Sequence, residues 1–97
     1  MLQQESIDAL RNRISATLRR HGIASAAIFG SFARGTATPD SDLDLLVEFD
    51  RAASLLDMVA LKLDLEDALG RSVDVVTPSG LLPGIRDEVL RERVNVL

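Results

Sequence analysis

The sequence predicts a small α/β domain in which helices and strands alternate. Three observations predict it. Segments of helical and of strand periodicity follow one another along the chain, glycines and prolines stand at their ends, and 97 residues suit a single domain, 1–97, at roughly 100–200 residues per domain. With 46% hydrophobic and 27% charged residues, the composition is that of a globular core rather than a disordered chain.

The first element is a helix over Ser6–Arg20. Ile7, Leu10, Ile14 and Leu18 recur at helical spacing, and charged residues fill the other faces. Ser6 is placed to cap it, Arg19 and Arg20 suit the negative end of its dipole, and Gly22 ends it. Ile23–Phe29 is a short apolar run that reads as a buried strand. Gly30–Ser41 holds two glycines, a proline and small polar residues, the chemistry of a loop, with one helical turn after Gly30. Asp42–Phe49 alternates, with Leu43, Leu45, Val47 and Phe49 on one face and Asp42, Asp44, Leu46 and Glu48 on the other, so it reads as a strand. Ser54–Leu69 is a second long helix, opened by the Ser54-Leu55-Leu56-Asp57 capping pattern and stopped by Gly70. Ser72–Thr77 is a third strand and Leu81–Arg93 a last helix.

Composition removes whole classes of chemistry. There is no cysteine, so disulfides, zinc-thiolate sites and thiol nucleophiles are excluded, and the single histidine, His21, cannot build an imidazole cage. Eleven Lys and Arg against fifteen Asp and Glu give a net charge of -4. There is no basic run, and the three aromatics are Phe29, Phe32 and Phe49, so nucleic acid is not an expected partner. No window approaches the roughly 18 apolar residues of a membrane span, and no secretory pattern opens the chain. The expectation is a soluble cytoplasmic protein.

Two acids draw attention. Asp42 and Asp44 are two residues apart on one predicted strand, which sets their side chains on one face with Cα atoms about 6.6 Å apart. At that separation two unit charges repel by about 2.5 kcal/mol at an effective dielectric of 20, a penalty that a bound cation removes. An oxygen-only donor set selects Mg2+, or Mn2+ as a substitute, over zinc or copper. Asp74, between Val73 and Val75 on another strand, is a third carboxylate that joins them if the strands are neighbours. The residues alone leave a second reading, in which Asp42 and Asp44 are solvated strand-end residues; Glu48 reads as solvated.

Gly30-Ser31-Phe32-Ala33-Arg34-Gly35-Thr36 nearly has the spacing of a Walker A loop, but the required Lys is missing. What survives is a glycine at a strand end followed by a hydroxyl, a place where backbone N–H groups can meet a phosphate. Ser31 can donate its hydroxyl and Arg34 can neutralise phosphate charge. The plainer reading is a strand-to-loop turn with Arg34 in a structural ion pair. A phosphate cradle and a carboxylate pair within about a dozen residues are the two halves of a metal–nucleotide site.

With Gly30-Ser31, Ser41-Asp42-Leu43-Asp44-Leu45 and Val73-Asp74-Val75-Val76 in place, the sequence resembles the minimal nucleotidyltransferases of the DNA polymerase beta superfamily over nearly its whole length. The resemblance implies a nucleotidyltransferase fold, α/β (α+β), with a small mixed sheet flanked by helices in the order α-β-α-β-α-β-α. It implies that Gly30 and Ser31 hold the nucleotide, with Arg34 and Ser41 as further nucleotide-binding candidates. It also implies that Asp42, Asp44 and Asp74 are the catalytic, metal-binding acids, with two Mg2+ ions. Stand-alone members of this size resemble antitoxins paired with a HEPN-type toxin, which implies transfer of AMP from ATP to a tyrosine hydroxyl of that partner. Two alternatives accompany this reading: an antitoxin that masks its partner without catalysis, and a small-molecule nucleotidyltransferase of the aminoglycoside type. Association with itself or with a partner is open. Leu81, Leu82, Ile85 and Val96 are interface candidates, with core packing the expected role for most of them.

Overall fold

A computed structural model describes residues 6–97. Helix α1 spans Ile7–Arg20, strand β1 Ile23–Phe29, helix α2 Ser31–Arg34, strand β2 Leu43–Phe49, helix α3 Leu55–Leu69 and strand β3 Val73–Val76. A 3-10 turn at Pro78–Gly80, helix α4 at Pro83–Glu92 and strand β4 at Val94–Asn95 complete the described chain. The sheet order is β3-β2-β1-β4. β1 runs antiparallel to β2 and β4, and β2 runs parallel to β3, so the sheet is mixed, with α3 as the crossover between the parallel pair.

The two long helices start where the sequence supplies a partner for the free first-turn amides. Ser6 Oγ accepts from Ala9 N at 3.1 Å to open α1. At α3, Asp57 N donates to Ser54 Oγ at 3.3 Å and Ser54 N donates to Asp57 Oδ2 at 2.8 Å, the reciprocal box read from the sequence. Leu10, Ile14 and Leu18 of α1 and Leu61, Leu65 and Leu69 of α3 pack with Ile28, Leu43, Leu45, Val47 and Val73 of the sheet into one core.

Four features depart from the expectation. The sheet gains β4, where Val94 and Asn95 pair with Ile28 and Ala27; two residues carry too little periodicity to be read as a strand. β2 begins at Leu43, leaving Asp42 in the approach to it. The last helix begins at Pro83 rather than Leu81, because proline has no N–H to lose at the first helical position and its φ is already set. Of the interface candidates, Val96 is in the core, Leu81 is half-buried, and Leu82 and Ile85 are 69% and 50% exposed rather than packed.

Candidate active site

The register of the sheet brings the singled-out acids together. Parallel pairing of β2 with β3 sets Asp74 beside Asp44. Paired residues of neighbouring strands share a face at a strand spacing of about 4.8 Å. Antiparallel pairing of β1 with β2 puts Phe29 opposite Asp44, so the chain leaves β1 at Gly30 directly over that acid. Asp42 lies just ahead of β2 and is exposed, as is Asp74, whereas Asp44 is half-buried between them.

Burial raises the Asp44 carboxyl above its ordinary value, and the Asp74 and Asp42 charges raise it further; the Arg34 guanidinium opposes them. Asp44 is therefore the centre of a like-charge group. Among the described residues no three His, Cys, Asp or Glu side chains form a ready-made cage. The donor set nonetheless fits Mg2+, which takes one or two carboxylates and completes its shell with water and substrate phosphate.

Gly30 has φ 73° and ψ -149°, a region open essentially only to glycine. A Cβ there would stand 3.3 Å from Asp44 Cγ and closer still to Oδ2. The turn thus needs glycine twice, for its dihedrals and for its approach to the acid. Ser31 opens α2, whose four residues are too few for a large dipole. What the turn can offer an anion is its own amides and the Ser31 hydroxyl.

The two remaining nucleotide candidates have local partners. Arg34 Nη1 donates to Glu92 Oε2 of α4 at 3.1 Å. Ser41 Oγ accepts from Thr38 N at 2.8 Å, and the Ser41 carbonyl accepts from Arg71 Nη1 at 3.0 Å. The structure also brings in residues that sequence reasoning missed. Lys62 donates to the Val73 carbonyl, and Glu66 Oε2 accepts from Val73 N at 3.0 Å. This pair holds the outward-facing backbone of the edge strand one residue before Asp74. The i, i+4 pairing of Lys62 with Glu66 was readable on α3, but its reach to β3 was not. A cavity of about 420 Å³ lined by Glu48, Phe49, Arg51, Met58 and Pro78, among others, lies at the other end of β2 and contains none of Asp42, Asp44 and Asp74.

Known proteins resemble this sequence and fold. The nucleotidyltransferase domain family model matches residues 10–96. A candidate protein adenylyltransferase of Methanocaldococcus jannaschii is 45% identical over 92 residues, 95% of this chain and 99% of its own length. The protein adenylyltransferase MntA of Thermococcus cleftensis is 43% identical over 97 residues, 99% of this chain and 98% of its own. Among solved structures, a candidate minimal nucleotidyltransferase superposes with a TM-score of 0.79 at 46% identity, covering 96% of this chain and 98% of that one. A chain from the tri-AMPylated Shewanella oneidensis HEPN toxin in complex with MNT antitoxin superposes with a TM-score of 0.72 at 20% identity, covering 93% and 71%, and speaks for the fold. By its family match and these near full-length relatives, the chain belongs to the nucleotidyltransferase domain family and is an enzyme of that class.

Proposed function

We propose that this chain is a magnesium-dependent protein adenylyltransferase that transfers AMP from ATP to a tyrosine hydroxyl of a HEPN-type toxin, and so acts as its antitoxin. The observation that carries the chemistry is Asp44, raised by burial, with Asp74 and Asp42 around it and the Gly30 turn laid against it. The choice of a protein acceptor is supported by two relatives named as protein adenylyltransferases, one of them a candidate, which this chain matches over nearly their whole length. The HEPN partner is supported by the complex that shares the fold.

In this reading the Gly30–Ser31 amides and the Ser31 hydroxyl hold the triphosphate, assisted by Arg34 and by Ser41 at the entrance to β2. Asp42, Asp44 and Asp74 would hold Mg2+, which when bound neutralises phosphate charge and stabilises the attacking and leaving oxygens. Asp74, more open than Asp44 beside it, receives the proton of the acceptor hydroxyl. The hydroxyl oxygen forms its bond to the α-phosphorus as the bond to the β-phosphate oxygen breaks, and pyrophosphate leaves in line. Asp42 and Asp44 would act on the triphosphate through the cation they would hold.

The test is to purify the chain with the protein that binds it, add ATP and Mg2+, and weigh the partner by intact mass spectrometry. The partner should gain whole AMP increments with the wild-type chain and none with Asp44→Asn, while the complex persists. An unchanged partner that stays inhibited would identify a masking antitoxin. Turnover of amino-alcohol acceptors in the partner's absence would identify a small-molecule enzyme.

A further inference from the structure

Arg71 lies just ahead of Asp74 in the Leu69–Asp74 stretch and touches residues of the two other motif segments. Its guanidinium carbon lies 4.8 Å from the ring centroid of Phe32, the residue after Ser31. Its Nη1 donates to the carbonyl of Ser41 at 3.0 Å, the residue before Asp42. Arg71 itself stands three positions ahead of Asp74, and the next residue, Ser72, accepts from Leu43 N at 3.0 Å on the far side of Asp42. Phe32 is buried in the main core and Arg71 is half-buried, so the ring is a fixed platform rather than a loose surface group.

We infer that Arg71 is a positioning residue that holds the Gly30–Ser31 turn and the Asp42 approach in register with Asp74. The inference rests on the reading of these residues as a metal–nucleotide site. A guanidinium suits this task because one planar group can lie on an aromatic face and donate from its edge at once. Without it, the helical turn after Gly30 and the 38–41 turn lose a side chain that touches both. The acids would still bind a cation, but the phosphate turn would no longer be set at a fixed distance from it.

Two substitutions separate this role from general stability. Arg71→Lys keeps the charge and can reach the carbonyl but has no plane to lay on the ring. Phe32→Leu keeps apolar bulk but removes the aromatic face. The wild-type chain and both variants are melted, then titrated by calorimetry with Mn2+ alone and with Mn2+ plus the non-hydrolysable ATP analogue AMP-PNP. The expected result is cooperative melting, unchanged Mn2+ affinity, and affinity for the Mn2+–AMP-PNP complex about tenfold weaker in each variant. Wild-type affinity for both ligands in the folded variants overturns the inference and leaves the site reading intact. Equal loss of both affinities, or failure of both variants to fold, makes Arg71 a stability contact and also overturns it. A wild-type chain that binds neither ligand removes the site reading and the inference together.

Discussion

Gly30 and Asp44 stand against each other so closely that the missing side chain of one is a condition for the position of the other. The backbone of the first turns through a region barred to other residues directly over the carboxylate of the second. The Gly30 turn and Asp44 are thus built as one unit, which makes several consequences measurable.

Gly30→Ala adds a methyl group both to a forbidden backbone conformation and to the space occupied by Asp44. The expected cost is about 1–3 kcal/mol, a Tm drop on the order of 10 °C for a domain of this size. AMP transfer should fall further than stability does, because Asp44 is displaced. Thermal melting beside a transfer assay checks both.

Asp44→Asn removes the most crowded charge of the acidic group. In metal-free buffer its Tm should equal or exceed that of the wild type, since burial and two like charges oppose ionisation there. Transfer should fall about a thousandfold, the several kcal/mol that charge stabilisation at the phosphate supplies. A variant that is both less stable and fully active would contradict the role of Asp44.

The pH dependence of stability should carry two opposite signs. The carboxyl of Glu66 is held below its ordinary value of 4.5, chiefly by the Val73 amide and then by Lys62. Its contribution is present above pH 4.5 and is lost as pH falls through the lowered value. Asp44 is raised above 3.8, so its contribution is full below pH 3.8 and is lost as pH rises through the raised value. Urea midpoints measured against pH in metal-free buffer should show a shallower acid limb in Glu66→Gln and a steeper one in Asp44→Asn.

Arg34 is paired with Glu92, and in the proposed site it would be shared with an entering phosphate. Arg34→Ala should raise the KM for ATP about tenfold, the value of one hydrogen bond to a charged group. Glu92→Gln, which releases the guanidinium, should lower it. Unchanged KM values in both would leave Arg34 a structural ion-pair partner only.

Local chemistry accounts for what could be read from the chain alone. The Ser54–Asp57 box and the alternation of Leu43, Leu45 and Val47 are short-range signals, and both appear in the fold, whereas of the Asp42-x-Asp44 pair only Asp44 is on the strand. Parallel pairing then joined Asp74 to Asp44 by a register that no spacing in the sequence encodes. Features that depend on distant partners stayed hidden. β4 exists because Ala27 and Ile28 present a free edge to it, and Leu46 is buried on what reads as the polar face. No spacing in the sequence joins Arg71 to Phe32 and Ser41, which the fold brings to it.

The most direct measurement is a crystal of the chain grown with Mn2+ and AMP-PNP, with the metal located by its anomalous scattering. The account predicts manganese bound by the carboxylates of Asp42 and Asp44, with Asp74 beside it and the triphosphate on the amides of Gly30 and Ser31. Manganese elsewhere, or a triphosphate that leaves the Gly30 turn bare, would contradict it.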